Sequence, residues 1–253
     1  MRTLIAVPVF NEERYVSRVL ERILEYAPNV LAIDDGSTDR TPILLAQQPV
    51  EVIRHAQNRG YGQSLVDAFR WAGCYGYEWL ITMDCDEQHE PEALPTFHSA
   101  IEEADRVDPP IDVISGSRYM DAASAIDRPP PDRQSINQLI TQKLNESLGL
   151  SLTDAFCGFK AYRIEAIKRL SFTVKGYAFP LQFWVRAVAA GLNISEIPVR
   201  LIYNDPNRCF GGPLDDARHR LEHYLKVLED ELALHEGLLS AKAAACAGHR
   251  NRQ

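Results

Sequence analysis

The first half of the chain alternates short apolar runs with longer amphipathic stretches, and that rhythm leaves few architectures open. Leu4 to Phe10 is a run of strand type that passes into Asn11-Glu12-Glu13. Val16, Val19, Leu20, Ile23 and Leu24 then recur at helical spacing, which predicts a helix capped by Asn11 with two acids in its first turn. Val30 to Ile33 is a second strand, ending in Asp34-Asp35-Gly36-Ser37, and Val50 to Ile53 a third. A helix carrying Leu65, Phe69 and Ala72 follows, and Trp79 to Met83 is a fourth strand that ends in Asp84-Cys85-Asp86. Pro91 opens a helix with Leu94, Phe97 and Ile101 inward, and Val113-Ile114 is another strand. Strands and helices in this order predict βαβ units and an α/β fold with a mostly parallel central sheet flanked by helices.

The second half changes character. Ala122 to Arg133 contains Pro129-Pro130-Pro131 and reads as a loop, since such a run continues neither a helix nor a central strand. Helices follow around Ile136, Leu139, Ile140 and Leu144, and around Leu181, Trp184, Val185 and Val188. An irregular stretch from Thr153 to Arg163 separates them, and a strand spans Ile194 to Tyr203. A long final helix bears Leu221, Leu225, Leu228 and Leu232, leucines suited to packing on the domain or to a homodimer seam. No repeat or linker interrupts the chain. It reads as a single domain over residues 1–240, with a ligand-binding half to about residue 120, an elaborated half beyond it, and a flexible tail over 241–253.

Composition closes off several functions. With 27 Lys and Arg against 35 Asp and Glu, the net charge of −8 argues against nucleic-acid binding and against simple adsorption to anionic lipid. The five scattered cysteines include no C-x-x-C pair, so neither a disulfide framework nor a zinc cluster is expected, and a cytoplasmic setting fits. The seven histidines lack zinc spacing, and Trp71, Trp79 and Trp184 lie in apolar periodic segments that suit a core. The amino-terminal apolar run is too short for a signal peptide and reads as a strand, and no window is apolar for the roughly 20 residues a membrane span needs.

In an open parallel sheet, ligands gather beyond the carboxyl ends of the strands. Asn11-Glu12, Asp34-Asp35 and Asp84/Asp86 all fall at that edge. Each alone could be a cap or a turn, but three acidic clusters on one rim ask for a cation or a cationic partner among them. Carboxylates two apart at a strand end suit Mg²⁺ or Mn²⁺ shared with diphosphate oxygens.

Taken together, Pro8-Val9-Phe10-Asn11-Glu12, Asp34-Asp35-Gly36-Ser37-Thr38-Asp39, Asn58-Arg59-Gly60-Tyr61-Gly62, Asp84-Cys85-Asp86-Glu87-Gln88-His89-Glu90-Pro91 and Gly116-Ser117-Arg118-Tyr119 resemble an inverting family 2 glycosyltransferase of the GT-A fold. Asp154 with Cys157-Gly158-Phe159-Lys160-Ala161-Tyr162-Arg163, and Lys175-Gly176-Tyr177-Ala178-Phe179, are similar to the dolichol-phosphate and polyprenyl-phosphate mannose synthase branch. The resemblance implies a nucleoside-diphosphate sugar donor, with GDP-mannose favoured over a UDP-sugar. It also implies a pocket at Pro8, Phe10, Asn11, Glu12, Asp35 and Gly60, a metal-diphosphate site at Asp84, Asp86 and Gln88, and a phosphate-facing Arg118. If the acceptor is a lipid phosphate, Arg133 and Ser135 in the proline-bounded loop are placed to hold it, and Arg208 is expected in place of the branch's usual lysine.

Two departures bear on the acceptor. Gln182 stands where that branch usually carries an acid, and an amide cannot act as a general base. The segment from Tyr203 to Gly212 replaces the branch's usual Gly and Ser-Lys pattern. A hydroxyl acceptor must lose a proton as it attacks and leaves Asp154 as the candidate base, whereas a phosphate acceptor is already ionised and needs none. Asp154 equally suits a cap on the turn into Phe156-Cys157-Gly158. The expected reaction is inverting transfer of a hexose of mannose or glucose type, on a membrane surface or beside a membrane partner protein when the acceptor is a lipid. Two other classes remain open, a catalytically silent nucleotide-sugar-binding scaffold and a metal-dependent nucleotidyltransferase, although the latter's Gly-rich run with Lys is missing after the first strand.

Overall fold

A computed structural model describes residues 1–121, 129–203 and 209–250, with side chains described through residue 239. One seven-stranded sheet runs through it in the order β3-β2-β1-β4-β6-β5-β7. The strands are β1 (Thr3–Val9), β2 (Val30–Asp34), β3 (Glu51–Arg54), β4 (Trp79–Thr82), β5 (Val113–Ser117), β6 (Lys160–Arg163) and β7 (Ile194–Pro198). β6 alone pairs antiparallel, with β4 on one side and β5 on the other.

The period of two along β1 explains the layers. Leu4 and Ala6 face one core with helix α3 (Tyr61–Cys74), α5 (Pro131–Leu148), α7 (Phe179–Ala189) and α8 (Ala217–Arg250). Ile5, Val7 and Val9 face a second core with α1 (Val16–Leu24) and α4 (Leu94–Glu103). Because β1 and β2 are covered on both faces, their sequences read as continuous apolar runs. Short helices α2 (Thr41–Leu45) and α6 (Ile164–Ile167) complete the connections.

β2 lies on one side of β1 and β4 on the other, so the crevice between the carboxyl ends of β1 and β4 is a topological switch point. The loops after those two strands are Phe10-Asn11-Glu12 and Asp84-Cys85-Asp86.

Several local expectations are corrected. Asn11 does not cap α1: it sits at φ 55°, its Oδ1 accepts from the Thr38 N–H at 2.8 Å, and the helix begins at Val16 with no acid in its first turn. The Glu12 carbonyl instead accepts from Tyr15 and Val16, which delays the helix by a turn. Pro131 is not loop but the first residue of α5, where a missing N–H costs nothing, so Arg133 and Ser135 ride on that helix. The stretch expected to be irregular contains β6, too short and too polar at Lys160 to announce itself. β7 ends at Pro198, well before Tyr203. Leu221, Leu225, Leu228 and Leu232 pack on the domain core, while Leu234 and Leu238 of α8 are exposed.

Candidate active site

The carboxyl ends of β1, β2 and β4 open into a cavity of about 530 Å³ whose far wall comes from α5, α7 and α8. Pro8, Phe10, Glu12, Asp35 and Gly60 line one end of it. Asp35 Oδ1 accepts from the Arg59 N–H at 2.7 Å and Oδ2 from the Gly60 N–H at 2.8 Å. His55, buried behind it, sets Nδ1 at 2.7 Å from Asp35 and Nε2 at 3.2 Å from Asp67. Gly60 is dictated by its backbone, with φ 96° and a hypothetical Cβ only 2.4 Å from the Lys175 carbonyl oxygen. That contact brings the two halves of the chain together beside Asp35. Asn11 is absent from the cavity wall and holds the loop after β2 instead, its N–H donating to Ser37 Oγ at 2.9 Å.

Asp84, Asp86 and Gln88 line the floor next to this end. The Asp84 N–H donates to His89 Nδ1 at 3.0 Å, and Asp86 Oδ1 accepts from the Gln88 N–H at 3.0 Å. Between them Glu87 is held at φ 60°, its carboxylate 2.5 Å from an Arg18 nitrogen. Such a backbone is uncommon for a long side chain, and the neighbours on either side of it, Asp86 and Gln88, both line the cavity. The Tyr61 hydroxyl is hydrogen-bonded to Asp84; burial and that carboxylate push it well above the ordinary tyrosine range, so it stays a neutral donor.

Two carboxylates and an amide oxygen form a hard-oxygen donor set suited to Mg²⁺ or Mn²⁺. Among the described residues no three His, Cys, Asp or Glu are arranged to hold a metal unaided. An ion that keeps part of its shell for diphosphate oxygens needs only such a partial set.

Gly158 makes room for Asp84: a Cβ there would lie 2.4 Å from Asp84 Oδ2. Gly158→Ala is therefore expected to turn the carboxylate aside and weaken Mn²⁺-dependent donor binding by about tenfold or more while the chain still folds, because the clash is with a movable side chain. Calorimetry with and without Mn²⁺ checks this.

The other end of the cavity is cationic and aromatic. Arg118, just past β5, clamps Asp154 through Nε to Oδ2 at 2.6 Å and Nη2 to Oδ1 at 3.0 Å. Asp154 is fully buried and also accepts from Asn137 Nδ2 and the Phe156 N–H. Burial works most strongly against its charge, but the Arg118 guanidinium together with Asn137 and Lys160 outweighs it and holds the carboxyl down at about 2. Arg118 lines the cavity and Asp154 does not, so Asp154 positions Arg118 and caps the turn at Phe156. Arg133 lines the cavity with its guanidinium 4.5 Å from the Phe210 ring centre. Arg220 of α8, 2% exposed, faces that ring at 4.8 Å and donates to Asp132 at 2.5 Å.

Three acceptor-side expectations fall elsewhere. Ser135 is exposed, donates to the Pro131 carbonyl at 2.7 Å and is not on the cavity wall, because α5 turns it outward. Arg208 lies outside the described residues. Gln182 is fully buried on the α7 face turned to α8, and it does not line the cavity. Its Oε1 accepts from the Thr173 and Val174 N–H groups at 2.7 and 2.9 Å, and its Nε2 donates to Thr173 Oγ1 and to Glu231. Glu231 in turn pairs with Arg186. Gln182→Ala strands two backbone donors and is expected to cost about 2 kcal/mol or more, lowering Tm by roughly 5 °C. Transfer per folded molecule should be unchanged; a thermal melt beside an active-site titration separates the two.

Sequence reasoning gave no role to His55, His89, Tyr61, Lys160 or Arg220, although Tyr61, His89 and Lys160 lie within the motifs that carry the resemblance. The histidines were weighed only for zinc spacing, although His89 follows the acidic pair within the same loop. Lys160 was hidden by the unrecognised strand, and nothing local marks Arg220 or Tyr61 as facing a cavity.

The family model for glycosyl transferase family 2 matches residues 4–171. An undecaprenyl-phosphate mannosyltransferase of Micrococcus luteus is 29% identical over 86% of this chain and 91% of its own. A polyprenol monophosphomannose synthase of Mycolicibacterium smegmatis is 29% identical over 78% of this chain and 76% of its own. A glucosyl-3-phosphoglycerate synthase of Mycobacterium tuberculosis, solved with Mn²⁺, UDP and glucosyl-3-phosphoglycerate, superposes with a TM-score of 0.69 at 18% identity, covering 91% of this chain and 79% of that one. The sheet is thus that of the GT-A glycosyltransferases, and with most of its length under the family model the chain belongs to glycosyl transferase family 2.

Proposed function

We propose that this enzyme moves a hexose, with inversion and with help from a divalent metal, from a nucleoside-diphosphate sugar to a polyprenyl phosphate. The observation that carries the reading is the split of the cavity wall. All four lining acids described, Glu12, Asp35, Asp84 and Asp86, belong to the end formed by β1, β2 and β4, whereas Arg118, Arg133 and Arg220 line the other and Lys160 lies between them. An acceptor hydroxyl would need a carboxylate base on the cationic side, and among the described residues none lines it. A phosphate acceptor arrives ionised and needs guanidinium groups. The mannosyl-transferring relatives agree with that choice and with mannose as the sugar, and GDP-mannose is the donor that the sequence resemblance favours.

In this reading Phe10, Pro8, Glu12 and Asp35 receive the nucleoside. Asp84, Asp86 and Gln88 would hold Mg²⁺ or Mn²⁺, which when bound would supply positive charge to the departing diphosphate. Arg118, fixed by Asp154, orients the phosphate nucleophile in line with the anomeric carbon, and the phosphate oxygen displaces the nucleoside diphosphate. Tyr177 and Phe210, cavity-lining rings whose centres lie 5.4 Å apart, would keep water from the same attack. Among the described residues no helix is long and apolar enough to cross a membrane. The enzyme would meet its lipid at the cytoplasmic membrane surface, alone, as a dimer or beside a membrane partner.

Calorimetric titration with GDP-mannose, GDP-glucose, UDP-glucose and UDP-N-acetylglucosamine, each with and without Mn²⁺, tests the donor half of this reading. Metal-dependent binding of GDP-mannose above the others is expected. Folded protein that binds none of them would instead be a silent scaffold.

A further inference from the structure

We propose that Lys160 is a phosphate-binding residue of this site, its ammonium held inside the cavity for an anionic oxygen of a bound substrate. The inference rests on the proposed transfer to a phosphate acceptor and adds a cation to it.

Lys160 opens β6, where its backbone lies opposite Thr82 of β4 and Ser115 of β5, in the middle of the sheet between the strands that deliver Asp84 and Arg118. Its side chain lines the cavity and is 3% exposed. Nζ donates to the Cys157 carbonyl and lies 5.4 Å from the centre of the Trp184 ring. Among the described residues no carboxylate lies within ion-pair distance of it. The nearby acids are spoken for: Asp154 is clamped by Arg118, and Asp84 meets Tyr61 and faces His89.

The Arg118–Asp154 pair is close to neutral as a unit, so Lys160 adds a positive charge to this part of the floor, favoured at a distance by Asp154 and Asp84 but ion-paired with neither. A buried ammonium without a counter-ion is costly, and a carbonyl plus a ring face repay only part of that cost. Burial accordingly pushes its pKa below the ordinary lysine range. A charge kept at that expense, on the wall of a cavity rather than in a closed core, is accounted for by an anion that arrives with the substrate. A phosphoryl oxygen is the matching group, and two sources supply one: the donor diphosphate beside Asp84 and the acceptor phosphate beside Arg118.

The test compares wild type with Lys160→Met and Lys160→Gln, the latter keeping a donor for the Cys157 carbonyl. Binding of GDP and UDP with Mn²⁺, and of farnesyl phosphate, is measured by calorimetry, and Tm is measured without ligand. The expected result is opposite signs: Tm unchanged or higher in Lys160→Met, with affinity for at least one anion lower by about tenfold or more in both variants. Loss confined to the nucleotides assigns Nζ to the donor diphosphate, and loss confined to farnesyl phosphate assigns it to the acceptor. Wild-type affinity for all three anions in either folded variant overturns the proposal and leaves Lys160 a structural residue. Failure of wild type to bind any of them overturns the transfer reading as well, so the two failures are distinguishable.

Discussion

Asp86→Ala is expected to abolish Mn²⁺-dependent donor binding and to lower transfer by about a thousandfold or more, with Tm nearly unchanged. The magnitude follows from losing the cation that faces the leaving diphosphate, an effect of about 4 kcal/mol or more on the barrier. The fold should survive because Asp86 sits in the loop after β4, while Trp79, Leu80 and Ile81, which anchor that strand, are untouched. Asp84→Ala should cost as much activity and more order, since Asp84 also meets Tyr61 and approaches Gly158. Titration of Mn²⁺ by electron paramagnetic resonance, with and without GDP-mannose, reads the first effect without turnover. Undiminished Mn²⁺-dependent binding in Asp86→Ala would remove the site assignment.

Asp154→Asn should lower stability by about 3–5 kcal/mol, because it leaves the Arg118 guanidinium partly buried with no charge to meet it. For a chain of this size that is a drop in Tm of about 10 °C. The same pair sets an acid limit. The folded carboxyl, at about 2, lies below its ordinary value of 3.8, so its contribution is complete above about pH 4 and is lost as pH falls through about 2. The loss is about 2 kcal/mol in wild type and should vanish from the Asp154→Asn profile. Urea titrations from pH 6 to pH 2 check both claims. Equal slopes in wild type and variant would mean that the pair adds nothing to stability. Arg118→Lys, which keeps a charge but loses the fork, should retain more stability than Arg118→Ala and still lose acceptor orientation.

The parallel half of the fold was legible because its strands are buried on both faces and its helices carry a clear apolar stripe. The same runs end around Phe10, Asp34 and Met83, and so most residues of that end of the cavity could be named from the chain alone. The cationic end was less legible for physical reasons. Its wall is assembled from α5, α7 and α8, whose inward faces depend on packing rather than on a local pattern. Gln182 occupies a position that looks catalytic in one dimension, yet the rotation of α7 points it at Glu231. Pro131 reads equally as a loop former and as the first residue of a helix, and only the helix places Arg133 inward while turning Ser135 out. Asp154 could be base or cap on its spacing; its enclosure by Arg118 and Asn137 makes it a support.

The decisive measurement is transfer itself. Protein supplied with GDP-mannose labelled in the sugar, Mn²⁺ and vesicles containing undecaprenyl phosphate is assayed for labelled lipid, and the product's anomeric configuration is read by NMR. The account predicts label in the lipid only with metal present, joined to phosphate with the configuration opposite to that of the donor. Donor binding without label in the lipid, or a product that retains the donor's configuration, would contradict it.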